Sequence, residues 1–195
     1  ECKKKSNNTN IFRPDRESQI IQEAEDKKKK DQDVARPEYV QWMSHPHFRP
    51  SVALQRSPFF EDICVDITDW SFSLWKDGLQ MPLFYSPMSN VQLTTGRWSP
   101  QRPGVLFIAR DDGKIEVWDF TDQSHRASVI LDVAPVPIIS LEFSPANQKR
   151  QLVAVGDNIG NLHILDTPGD LMRPLPNEMN LVSGFLEREL NHVNR

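Results

Sequence analysis

The sequence predicts an all-β fold, and three observations predict it. From His47 onward, apolar runs the length of strands, such as Ile63-Cys64-Val65 and Val105-Leu106-Phe107-Ile108, alternate with Ser-Pro, Asp-Gly and Asp-Asn punctuation. Between residues 47 and 176 no segment carries a long helical period. The same body also repeats itself three times.

The repeat decides the architecture. Ser57-Pro58, Ser99-Pro100 and Ser144-Pro145 each close a strand, with the prolines 42 and 45 residues apart. An apolar strand follows each pair, then a tight turn: Thr68-Asp69-Trp70, Asp111-Asp112-Gly113 and Asn158-Ile159-Gly160. The closing strands are Phe72–Lys76, Ile115–Asp119 and Leu162–Asp166. A four-stranded antiparallel blade consumes about 40 residues. A period of about 40–45 with Asp-Gly turns and Trp-Asp closures is the signature of a WD40 β-propeller. Residues 47–168 are therefore expected to form three WD40-type blades. Each part of the repeat has a physical task. Proline cannot donate to a ladder and ends the first strand, while Asp112-Gly113 supplies the positive φ of a hairpin turn. Ile115 and Val117, alternating with Lys114 and Glu116, predict one buried face and one wetter face.

The copies decay unequally. Repeat two keeps Trp98, Asp112, Gly113, Trp118 and Asp119. Repeat one keeps Asp69 and Trp75 but has Trp70 in place of the turn glycine and Lys76 in place of the closing acid. Repeat three keeps Gly160 and Asp166 but has Leu165 at the tryptophan position. His47, eleven residues before Pro58, stands where a WD40 blade places its structural histidine, so it is expected to form a hydrogen-bonded network with Asp69 and Trp75. Three blades do not close a ring, which takes about four to eight. The expected object is a piece of a seven-bladed propeller. An opening Glu1 rather than Met fits that expectation.

Residues 1–46 read as a charged, low-complexity leader or insertion. Lys3-Lys4-Lys5, a run of Asn and Ser, and Glu23 to Lys30 leave too little apolar area to offset the entropy of ordering. Disorder is expected there, with a helix possible over residues 14–30.

Residues 169–195 form a C-terminal tail. Met179, Val182, Phe185, Leu186 and Leu190 recur at three- and four-residue steps, which predicts an amphipathic helix with Asn177 as its N-cap. Two roles are open: packing on its own propeller, or docking in a partner's groove. On the docking reading, acids at Phe185 and Leu186 would weaken assembly and spare the blades.

Composition excludes several classes. The net charge of −4 and pI near 5.7 argue against nucleic acid and anionic membranes, and no apolar stretch approaches the roughly 18 residues of a membrane span. Cys2 and Cys64 support neither a disulfide framework nor a zinc site, which suits a reducing compartment such as the cytoplasm. Cys64, within an apolar strand, reads as a small core residue. His45 and His47 flank Pro46 without a third ligand at metal spacing, and Asp111 with Asp112 reads as a turn. No catalytic residue, metal site or cofactor is expected.

Particular stretches carry a family resemblance. Gln55 to Ile63, Asp69 to Gly78, and Gly96-Arg-Trp-Ser-Pro-Gln-Arg-Pro-Gly-Val-Leu-Phe-Ile108 followed by Asp112 to Asp119 resemble the late blades of dynein intermediate chains. With Asn161 to Asp166, Asn177-Glu-Met and Phe185 to Glu189, they look most like the axonemal intermediate chain of the two-headed inner-arm dynein. The resemblance covers about residues 55–193. It implies a non-catalytic scaffold in the cytoskeleton of a ciliary or flagellar axoneme, gripping a dynein heavy chain through its propeller. Its further implied partners are a second intermediate chain and light chains bound by the missing N-terminal part. The alternatives are a WD40 adaptor unrelated to dynein and, with no encouragement from the residues, a propeller-bearing enzyme.

Overall fold

The computed structural model describes residues 49–145 and 150–193; the leader, His45 and His47 lie outside the described residues. Three antiparallel sheets follow one another in chain order. Blade 1 contains β1 (Ser51–Arg56), β2 (Ile63–Thr68), β3 (Phe72–Lys76) and β4 (Phe84–Tyr85). Blade 2 contains β5 (Leu93–Trp98), β6 (Val105–Arg110), β7 (Lys114–Asp119) and β8 (Val129–Asp132). Blade 3 contains β9 (Ile138–Phe143), β10 (Leu152–Asp157) and β11 (Leu162–Asp166), with no fourth strand among the described residues. The chain then forms α1 (Gly169–Met172) and α2 (Glu178–Val193).

The repeat seen in the sequence holds at the level of register. Trp75, Trp118 and Leu165 stand opposite Cys64, Leu106 and Val153, so all three hold the same place in their blades. The serine of each Ser-Pro pair has a second task besides ending the strand. Ser57 Oγ accepts the N–H of Phe60 at 3.2 Å, Ser99 Oγ that of Arg102 at 3.1 Å, and Ser144 Oγ that of Leu152 at 3.1 Å. The first two hydroxyls thus hold the turn into the next strand, and the third ties the end of β9 to the first residue of β10.

The hairpin turns divide as their residues dictate. Gly113 and Gly160 have φ of 78° and 92°. Gly113 also admits a close approach, since a Cβ there would lie 1.8 Å from the carbonyl oxygen of Ala134. Blade 1, with Trp70 and no glycine, turns by another route: the Thr68 hydroxyl donates to the carbonyl of Ser71 at 2.9 Å.

Two apolar layers hold the blades together. Ile63, Val65, Ile67, Phe72 and Leu74 of blade 1 meet Leu106, Ile108 and Trp118 of blade 2. The other face of blade 2, Val105, Phe107, Ala109, Ile115 and Val117, meets Ile138, Leu141, Val153 and Val155 of blade 3. The inner strands β6 and β7 of blade 2 are therefore buried on both faces, and every residue of β6 is buried. This corrects the expected wetter face of β7: Glu116 is 9% and Trp118 5% exposed, because blade 1 covers them. Each fully buried Leu, Ile or Val contributes about 1.5–3 kcal/mol. Cys64 is also corrected. It is only half-buried, on the face of blade 1 turned away from blade 2, where burial pushes its thiol pKa up and the nearby Arg56 partly offsets the rise.

Candidate functional site

The most elaborate polar arrangement at the junction of blades 1 and 2 starts from Trp118. Its indole N–H donates to Glu116 Oε2 at 3.0 Å, and Arg110 Nη1 donates to Glu116 Oε1 at 2.9 Å. The same guanidinium grips Asp112 in a fork, Nε to Oδ1 at 3.0 Å and Nη2 to Oδ2 at 2.6 Å. A tryptophan in β7 is thereby tied to an aspartate in the preceding turn through one buried arginine. The paired geometry satisfies charges that would be costly to bury alone. The ring of Trp118 meets Phe72 of blade 1 edge-on, with centroids 4.9 Å apart. The network thus fixes the side chain that joins the two blades.

A second cluster joins the tail to blade 2. Arg102 and Glu178 are each 2% exposed. Arg102 Nε donates to both carboxylate oxygens of Glu178, at 3.0 and 3.1 Å, and its Nη1 donates to the carbonyl of Asp170 at 3.0 Å. Its Nη2 lies 2.8 Å from Asp119 Oδ2, close enough for an ion pair though poorly directed for a hydrogen bond. Glu178 also accepts the N–H groups of Leu175 at 2.7 Å and Gly104 at 3.4 Å. Asp119 is further held by the N–H of Thr121 at 2.9 Å. The closing acid of repeat two, an arginine from the loop after β5 and the first residue of α2 make one buried cluster.

Beyond that anchor, α2 lies on the first apolar layer. Phe185 stacks on Phe120 with centroids 5.2 Å apart and meets Phe84 edge-on at 5.7 Å. Val182 is 3% and Phe185 2% exposed, and Leu186 and Leu190 are partly buried against the same layer. The stripe proposed for partner docking is corrected in part: Val182 and Phe185 are core residues of the propeller, while Met179 is 44% exposed. Acids at Phe185 would strike the blades themselves. Asn177 is also corrected. It has φ of 61°, a left-handed conformation that asparagine tolerates better than most residues, rather than the extended conformation of an N-cap.

The remaining predicted positions are dispersed. Asp69 lies in the turn after β2 with Arg49 Nη1 3.5 Å away, and the Trp75 indole donates to Ser73 Oγ at 2.9 Å. The histidine expected to join them, His47, is outside the described residues. Trp98 ends β5, its N–H donating across to Gln55 of blade 1 at 2.7 Å. Asp166 holds the register position of Asp119 but is exposed, 3.7 Å from Arg150. Blade 3 has its own polar knot instead. Asp157, 2% exposed, accepts from Asn161 N–H at 2.8 Å, Asn161 Nδ2 at 2.9 Å and Ile159 N–H at 3.2 Å, with His163 Nε2 at 3.0 Å. Burial raises its pKa, but these hydrogen bonds outweigh it and hold the carboxyl at about 2.

Sequence reasoning missed Arg102, Arg110 and Glu178. A signal existed for the first: the third residue after the serine is Phe60 in repeat one and Asn147 in repeat three, so arginine there belongs to repeat two alone. For metal chemistry, the described residues contain no group of three or more His, Cys, Asp or Glu placed to hold an ion, and no described helix is long and apolar enough to cross a membrane.

Comparison with known proteins decides the family. The family model described as the dynein axonemal intermediate chain 3 WD40 domain matches residues 4–167. The chain belongs to this family of WD-repeat dynein intermediate chains. Human dynein axonemal intermediate chain 3 is 37% identical over 141 residues, 72% of this chain and 16% of that protein. The ciliary dynein intermediate chain 3 of Heliocidaris crassispina is 30% identical over 154 residues, 78% of this chain and 25% of that protein. The intermediate-chain blades thus span about a sixth to a quarter of these relatives. The family match extends through most of the charged leader, which the resemblance read from the sequence did not cover. Among solved structures, the WD40 domain of Toxoplasma gondii coronin superposes with a TM-score of 0.50 at 17% identity, covering 60% of this chain and 30% of that one. That likeness supports the propeller fold alone.

Proposed function

We propose that these blades belong to a non-catalytic scaffold subunit of an axonemal dynein, in the cytoskeleton of a cilium or flagellum. The propeller grips the tail of a dynein heavy chain and works beside a second intermediate chain, with light chains carried on a more N-terminal part of the protein. The observation that carries this reading is the match of residues 4–167 to the axonemal intermediate-chain WD40 domain. The polar clusters favour a scaffold over an enzyme, because Arg102 and Arg110 are spent on joining elements to one another.

The rest of a seven-bladed ring comes from elsewhere in the longer protein. Leu162 and Ile164 are 69% and 57% exposed, yet their register equivalents in blade 2, Ile115 and Val117, are 1% and 0% exposed beneath blade 3. A further blade packed on blade 3 would bury them in the same way. Among the described residues blade 3 has no outer strand, since the chain leaves β11 for the tail helices.

Affinity purification of the intact protein from ciliated cells, with mass spectrometry, tests the assignment. Recovery of a dynein heavy chain and a second intermediate chain, lost on deletion of the blades, is the expected result. Recovery of a different complex without any heavy chain would move the function to a general WD40 adaptor.

A further inference from the structure

A cleft of about 670 Å³ opens between blades 1 and 2 beside their outer strands, within the range of roughly 300–1,000 Å³ usual for binding sites. Its cause is the shortness of β4. Where β8 runs four residues along β7, β4 runs only two along β3. The strand stops because Ser86 turns its hydroxyl to accept the N–H of Phe72 at 2.9 Å, and Pro87, which has no N–H, follows. The face of blade 2 that a longer β4 would cover stays open. Ile130, opposite Glu116 in the β7–β8 ladder, is 53% exposed, and Met88 across the cleft is 70% exposed.

The charge of this cleft opposes that of the chain. Against a net −4 overall, it is lined by Arg110, His125 and Arg126, with Glu116 its one carboxylate among the described residues. Both oxygens of Glu116 are engaged, by Arg110 and by the indole of Trp118, and Arg110 is neutralised further by Asp112. The charge presented at the mouth is therefore that of Arg126, with the His125 imidazole beside it as a hydrogen-bonding group, both exposed on the β7–β8 connection. A basic mouth over an apolar wall favours carboxylates flanking an apolar anchor.

We propose that this cleft binds an extended acidic segment of a partner protein. Its aliphatic or aromatic side chain enters against Ile130, Met88 and Trp118, and its carboxylates meet Arg126 and His125. The segment is extended because it occupies the room left where β4 stops. The proposal stands on the cleft itself and holds whether or not the partner is a dynein subunit.

The test uses the full-length protein and a fluorescein-labelled peptide, Gly-Asp-Leu-Glu-Phe-Asp-Gly, followed by anisotropy beside a version with lysine at each acidic position. Saturable binding of the acidic peptide alone is expected. Joint His125→Glu and Arg126→Glu substitution should weaken it roughly tenfold, and Ile130→Ser should weaken it as well. Arg188→Glu, on α2 outside the cleft, should leave it unchanged. Equal binding of both peptides, an affinity untouched by the His125 and Arg126 changes, or no saturable binding of the acidic peptide would overturn the proposal.

Discussion

Arg102 and Glu178 lie 76 residues apart in the chain and meet as a buried fork, Nε to the two carboxylate oxygens at 3.0 and 3.1 Å. The contact makes the C-terminal helix part of the propeller. It binds the first residue of α2 to the loop after β5, and the helix then lies across the layer between blades 1 and 2.

Removing one partner should therefore be severe. Glu178→Ala leaves a buried guanidinium with only Asp119 as a charged partner and should cost about 3 kcal/mol or more. Exchange of both Arg102 and Glu178 for methionine should cost less than the sum of the single changes. Urea unfolding measures both, and a single-variant loss under about 1 kcal/mol would mean that the cluster contributes no more than a surface pair.

The helix's inner face should outweigh its outer face. Phe185→Ala removes a buried ring and is expected to cost about 3–5 kcal/mol, whereas Met179→Ser should stay within about 0.5 kcal/mol. Thermal melts of the two variants give the comparison. Equal midpoints would place Phe185 outside the core.

Two glycines should respond in opposite directions. Gly113→Ala forces a Cβ against the Ala134 carbonyl at a φ of 78°, so destabilisation beyond about 1 kcal/mol is expected. Gly184, within α2, faces open space, where an added Cβ would meet nothing within 4 Å, and Gly184→Ala should stabilise by about 0.5–1 kcal/mol. Unfolding midpoints that moved the same way would contradict this.

Asp157 should make blade 3 sensitive to acid. Its carboxyl sits at about 2 against an ordinary 3.8, so the folded state favours the ionised form. The resulting stabilisation is complete above about pH 4 and is lost as pH falls towards about 2. Asp157→Asn abolishes this portion of the pH dependence. Wild type and variant should therefore differ more at about pH 6 than at about pH 2.5 in urea melts, and a constant difference would count against the linkage.

The blades were legible in the sequence because their determinants are local. Ser-Pro pairs, turn glycines and alternating apolar residues act within a few positions, and repetition three times over set the period and the placing of Trp75, Trp118 and Leu165. The amphipathic stripe of α2 was legible for the same reason, but a stripe identifies a face without naming what covers it. Tertiary structure alone decided that Val182 and Phe185 face their own propeller, that both faces of β6 and β7 are dry, and that Arg102 meets Glu178 and Asp119. The physical reason is that burial and charge pairing depend on which surfaces meet after the chain has turned back on itself. Residues 76 apart leave no periodic trace of that meeting.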